Sequence, residues 1–264
     1  MNQRYEVASD TWLSDGTSIP GTQRSELSAV VDNSNTCSGG PCIYAVGGRG
    51  DDVLNNLQRY DPVADTWTDF KGMRVADDTE HNVALAHGKI FVAGGRDCGV
   101  PLCFGSAIDK LQIYDIAKNN WHFGTSLPAP RSDSVAIAMG NKIYLFGGFD
   151  GANIVDTTLI YDIGSKTWST GASMPTPLAD SAAGVCSSGH KIHLFGGVGG
   201  DESPTGLHYV YDPIANAWQI SEPLPDGRTT AETQAISDAK QIFIVGGGIF
   251  GTGGENDSQL IWKC

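Results

Sequence analysis

A double glycine closing a β-branched or aromatic run recurs five times along the chain, and no other feature narrows its folding options as far. It ends the runs CIYAVGG, KIFVAGG, KIYLFGG, KIHLFGG and QIFIVGG, at Gly47-Gly48, Gly94-Gly95, Gly147-Gly148, Gly196-Gly197 and Gly246-Gly247. The steps between them are 47, 53, 49 and 50 residues. A second signal lies between the glycines, an aromatic–acid pair with a tryptophan after it: Tyr60-Asp61…Trp67, Tyr114-Asp115…Trp121, Tyr161-Asp162…Trp168 and Tyr211-Asp212…Trp218. Each tyrosine stands seven residues before its tryptophan. A fixed period of this length marks a repeat array, in which a unit buries its faces only against its neighbours.

The double glycine, the Tyr-Asp and the Trp at this period resemble the Kelch repeat, over nearly the whole chain. The resemblance implies an all-β chain, a Kelch-type β-propeller of four-stranded blades stacked around a channel. Each Trp is expected to wedge between neighbouring sheets, and Gly-Gly to permit positive φ where the chain leaves the buried strand. One domain is expected over residues 1–264, with repeats at 23–76, 77–129, 130–176, 177–226 and 227–264. Tyr5-Glu6-Val7-Ala8-Ser9-Asp10-Thr11-Trp12 nearly copies Tyr60-Asp61-Pro62-Val63-Ala64-Asp65-Thr66-Trp67. Residues 1–22 are therefore expected to complete the fifth repeat, closing a five-bladed ring by mixing both chain ends and so removing open sheet edges. Gln259–Lys263 also reads as a third strand, and six blades is the alternative.

A net charge of −13 argues against a phosphate-binding surface and against anionic lipid, so partners are expected to be neutral or cationic. No apolar run approaches the length that spans a bilayer, and the residues after Met1 show no signal-peptide core. Cys37 with Cys42 and Cys98 with Cys103 form two equally spaced pairs in Gly/Pro-bearing loops. Disulfides there favour a secreted or periplasmic protein whose leader has been removed; free thiols are the second reading and a metal site the third. Cys186 and Cys264 show no obvious partner.

Alignment on the double glycines brings out a column of acids ahead of the innermost strand: Glu26, Glu80, Asp133, Asp180 and Glu232. In a propeller, equivalent inner positions form a ring, so five carboxylates are expected at one mouth of the channel. Two carboxylates about 7 Å apart repel by roughly 2 kcal/mol at an effective dielectric near 20. Protonation, a hard cation such as Ca2+, or neighbouring arginines would each offset that cost; Arg24, Arg131 and Arg228 are the candidate arginines. Alternatively, each acid accepts backbone N–H bonds from the adjacent blade and fastens the ring.

The loops after Gly-Gly are unequal on that same face, which fits ligand selection by loops. Phe104, Phe149 and Phe250 could stack on a sugar or an apolar side chain, or fold back on their own blades. The expected function is non-catalytic binding of a protein or glycan by a monomer, with no nucleic acid, no membrane insertion and no cofactor beyond Ca2+ at the mouth. The alternative is a sugar-active enzyme of the mutarotase or epimerase type, which Kelch relatives suggest. Glu80, His81 and Arg131 would then supply acid and base. Arg49-Gly50-Asp51 and Asn256-Asp257-Ser258 are discounted as turn-driven or context-dependent matches. His190 and His193 look like a metal pair, but His193 occupies the buried-strand position of Phe91 and Tyr144 and reads as a core histidine.

Overall fold

The computed structural model of the chain describes residues 2–6, 9, 11–21, 23, 25–34, 36–50, 54–75, 78–79, 82–97, 105–186, 190–201, 203–225, 236–237, 241–245 and 259–263. Short strands form antiparallel meanders in which each strand pairs with the next along the chain. Blade 1 consists of Ser28–Asp32, Cys42–Val46, Leu57–Asp61 and Thr66–Phe70, in that order. Blade 2 is Asn82–Ala86, Lys89–Ala93, Leu111–Asp115 and Asn120–Phe123; blade 3 is Val135–Met139, Lys142–Phe146, Thr158–Asp162 and Thr167–Thr170. Blade 4 is Ala182–Cys186, Lys191–Phe195, His208–Asp212 and Ala217–Ile220. The described part of blade 5 has three strands, Ile236–Ser237, Gln241–Val245 and Gln259–Lys263. The first strands of blades 1 to 4 touch in succession, and that of blade 4 touches the first two of blade 5, which makes the sheets a propeller.

Its core is divided into layers, one per interface between blades. Blades 1 and 2 meet through Tyr44, Val46, Leu57, Val83, Ile90 and Trp121. Equivalent apolar layers join blades 2 and 3, blades 3 and 4, and blades 4 and 5. The double glycines belong to these joints. Gly94, Gly95, Gly147 and Gly148 all have positive φ. A Cβ on Gly94 would collide with the main-chain oxygen of Arg131, and one on Gly147 with that of Leu178. Only glycine allows this approach, and it lets the amides of Gly95 and Gly148 donate to those same oxygens at 2.7 and 2.8 Å.

The Tyr-Asp…Trp signature also works across blades. Tyr and Trp stand opposite each other on adjacent outer strands, as in Tyr114↔Trp121 and Tyr211↔Trp218. The indole N–H of Trp121 donates to the carbonyl of Lys71 in the preceding blade, Trp168 to Thr125 and Trp218 to Ala172, at 2.6 to 2.9 Å. A left-handed residue completes the link. The side-chain oxygen of Asn119 accepts from Tyr114 Oη and the Lys71 amide, and that of Asn216 from Tyr211 Oη and the Ala172 amide. Blade 3 has Lys166 at this position, also left-handed, and there the Lys166 main-chain oxygen accepts instead from Thr125 Oγ1 of the preceding blade at 2.7 Å.

Closure differs from the sequence expectation. Gln259–Lys263, which reads as a third strand in the sequence, does take that place in blade 5, pairing from Val245↔Gln259 to Gln241↔Lys263. Tyr5–Glu6 and Thr11–Trp12 instead form a two-stranded sheet of their own. The physical reason is locality. A strand from the same stretch of chain closes a far shorter loop than one from the opposite terminus. The N-terminal hairpin still takes a ring position, but against blade 1. Trp67 donates to the Thr17 carbonyl at 2.7 Å and Asp65 accepts the Thr17 amide at 2.8 Å, the relation each later blade has to the one before it.

Candidate functional site

The mouth of the channel is built where the lead-in to each inner strand meets the residue after the double glycine. Isolated bridges join Ser25 to Arg49, Ser132 to Phe149 and Ala179 to Val198. The next residue in each lead-in is the aligned acid, and Glu26, Asp133 and Asp180 all adopt the left-handed conformation, with φ of 56°, 54° and 55°. Aspartate tolerates this region through its short polar side chain, whereas glutamate has no such advantage.

The acids are met by arginines other than those picked out from the sequence. Arg49 lies 3.6 Å from Glu26, and Arg96 Nη2 donates to Asp133 Oδ2 at 2.9 Å. Ser132 Oγ donates to the same oxygen at 2.6 Å. Both arginines follow a double glycine directly, at Gly48-Arg49 and Gly95-Arg96, so this signal was present in the sequence. Arg131, expected beside Asp133, turns away: it is 3% exposed and donates to Thr157 Oγ1 at 3.0 Å. Burial pushes its guanidinium below the ordinary value, while Asp150 acts in the opposite direction. The reversal at Asp133 sends the acid toward blade 2 and leaves Arg131 inside blade 3.

A direct blade-to-blade link also exists at the acids, through the main chain. The Asp180 amide donates to the Asp133 carbonyl at 2.8 Å, so these two ring positions are adjacent. Phe149 lies under Arg96, whose guanidinium carbon is 4.9 Å from the ring centroid. The face therefore carries Arg96, Asp133 and Phe149 as one group drawn from two blades. Beside it the loop after Phe149 is pinned by Asp150, whose Oδ1 accepts the amides of Ala152 and Asn153 at 2.8 Å. These bonds hold the Asp150 carboxyl below its usual range.

Arg24, Glu80, His81, Arg228, Glu232, Phe250 and Phe104 lie outside the described residues, as does the Cys98 and Cys103 pair. A Ca2+ site over all five acids, and acid–base chemistry through Glu80 and His81, fall there with them. Cys37 and Cys42 are disulfide-bonded, with Cα atoms 5.6 Å apart, and pin the loop between the first two strands of blade 1. Cys186 is also disulfide-bonded, to a partner outside the described residues.

Comparison with known proteins agrees with this architecture. The family described as "KLHDC2/KLHL20/DRC7 Kelch-repeats domain" matches residues 71–248, and the Kelch motif matches residues 32–74. Kelch-like protein 23 of Pongo abelii is 33% identical over 111 residues, 41% of this chain and 19% of the relative. Kelch-like protein 7 of Rattus norvegicus is 30% identical over 99 residues, 38% of this chain and 16% of the relative. Matches thus span under a fifth of the length of these two relatives. A solved structure titled "Structure of YjhT" superposes with a TM-score of 0.75 at 17% identity, covering 95% of this chain and 84% of that one. At that identity the likeness concerns the fold.

Proposed function

The chain belongs to the Kelch-repeat family, and on that premise we propose that it is a protein-binding propeller whose partner lies across the channel mouth and the loops after the double glycines. The observation that carries the reading is the Arg96–Asp133–Phe149 group. Blades 2 and 3 hold an ion pair and an aromatic face together at the mouth, supported by main-chain bonds between the lead-in and the residue after the double glycine. Arg and aromatic side chains on a rigid base are the residue types that anchor protein interfaces. The unequal loops around the mouth supply selection. A net charge of −13 favours a partner with a neutral or basic contact surface.

The test is capture with photo-crosslinking from Phe149 and from Ile214, which is 90% exposed on an outer turn of blade 4. A specific protein crosslinked from position 149, not from 214, and lost in Asp133→Asn, is the expected result. Turnover in a sugar-anomerisation assay, or a glycan-array ligand displaced by Phe149→Ala, would replace this reading.

A further inference from the structure

At the junction of blades 4 and 5, two histidines face each other inside an aromatic cluster. His193 Nδ1 lies 2.9 Å from His208 Nε2, and His208 Nδ1 lies 3.1 Å from the Glu222 carbonyl oxygen. The carbonyl accepts only, so His208 carries its proton on Nδ1 and presents the Nε2 lone pair to His193. His193 must then donate from Nδ1. With both rings neutral, this arrangement fixes both tautomers. His208 is 1% exposed and stacks on Phe195 at 4.3 Å; the Trp262 ring meets it edge-on at 4.4 Å. Trp262 belongs to Gln259–Lys263, the third strand of blade 5. His190, the partner suggested by sequence, instead occupies a left-handed turn position.

We propose that the His193–His208 pair is a pH-sensitive latch that holds the third strand of blade 5 against blade 4. The first proton can be added at His193 Nε2, which leaves the bond between the rings intact. A second proton would place two N–H groups nose to nose, and one ring must leave the cluster. Among the described residues no carboxylate is paired with either ring. On the strand of His193 stands Lys191, which repels an imidazolium and lies 3.9 Å from Asp212 on the strand of His208. Glu222 offers its main-chain oxygen. The strand of Trp262 brings Lys263; Gln241–Val245 brings no ionisable group; Ala182–Cys186 brings the disulfide-bonded Cys186. Burial lowers both imidazoles, His208 to about 4. An unfolded histidine titrates near 6.5. The folded values are depressed and the neutral form is the favoured one, so the latch is fully closed above about pH 6.5. It weakens as pH falls from there toward 4. At equivalent positions blades 1 to 3 carry Tyr44 with Leu57, Phe91 with Leu111, and Tyr144 with Thr158, none of which titrates in that window.

Hydrogen exchange at pH 7.5 and 5.0, corrected for intrinsic rates, tests the latch. The expected result is that protection of residues 259–263 drops about tenfold or more at pH 5.0, the equivalent of one pKa unit. Residues 142–146 of blade 3 should hold theirs. His208→Asn keeps a donor near the Nδ1 position for the Glu222 carbonyl and removes that ring's titration, so its pH 5.0 drop should be clearly smaller than in wild type. If that variant does not fold, His193→Gln and an NMR titration of wild-type His208 serve the same end. An equal drop in wild type and variant, no drop in wild type, or a His208 that titrates near 6.5 would overturn the proposal.

Discussion

Residues 5–12 and 60–67 are near copies in sequence and pair their Tyr and Trp in the same way, yet those pairs end in different surroundings. Tyr5 pairs with Trp12, and Tyr60 with Trp67; the ring centroids are 5.2 and 5.0 Å apart. Tyr60 is buried and bonded to Asp65, and the Trp67 indole is held by the Thr17 carbonyl. Trp12 is 52% exposed, whereas Trp121, its counterpart in blade 2, is 1% exposed. A seven-residue Tyr-to-Trp step therefore specifies a hairpin and leaves its burial to a neighbour. In blades 1 to 4 the hairpin extends a sheet whose inner strands are present. Among the described residues no inner strand pairs with the N-terminal hairpin.

The sharpest way to break this comparison is to truncate both tryptophans. Trp121→Ala should lower stability by about 3–5 kcal/mol, in the range for deleting a large buried aromatic side chain. Trp12→Ala should stay within about 0.5 kcal/mol, as for most surface substitutions. Comparable losses in denaturant melts would mean that the hairpin is packed like a blade.

Asp65→Ala probes the joint between the two copies. It strands the buried Tyr60 hydroxyl and the Thr17 amide together, an expected cost of about 1–3 kcal/mol. An unchanged melting midpoint would show that the hairpin does not brace blade 1. The loop disulfide should matter somewhat less. A small closed loop gives about 2 kcal/mol in the chain-entropy account, so Cys37→Ser/Cys42→Ser should lose no more than that. Non-reducing peptide maps of protein from its natural compartment should show Cys37 joined to Cys42. They should also tie Cys186 to Cys264, which follows Lys263 in the chain; Lys263 and Cys186 stand at the same end of adjacent blades.

The smallest effect expected is a gain. Lys166 holds the left-handed turn position where Asp65, Asn119 and Asn216 join blades. Lys166→Asn should add the missing acceptor for Tyr161 and relieve the backbone preference, raising stability by about 0.5–1 kcal/mol. A loss would show that the Thr125 Oγ1 bond to the Lys166 carbonyl depends on the lysine.

Much of the architecture is legible in the order of the residues. Gly-Gly, Tyr and Trp recur because each repeat must solve the same local problem, so alignment of the repeats reveals strands, turns and blades. The acid column is equally visible, and three of its members, Glu26, Asp133 and Asp180, share one left-handed position. The partners of those acids are not. Arg96 reaches Asp133 from the preceding blade, a contact between residues 37 apart, and Arg131, two residues from the acid, points elsewhere. Proximity in sequence misleads where the chain reverses through a left-handed residue.

By itself the sequence determined the strands, their order and the joints between blades, since these depend on periodicity and on residues with narrow backbone or hydrogen-bonding roles. Only the tertiary structure decided which segment lies third in blade 5, which arginine meets which acid, and that His193 faces His208. Each of those is a choice among chemically similar candidates, two apolar strands, several arginines, two histidines. The choice turns on loop length and on the direction a side chain takes, which residue type alone does not encode.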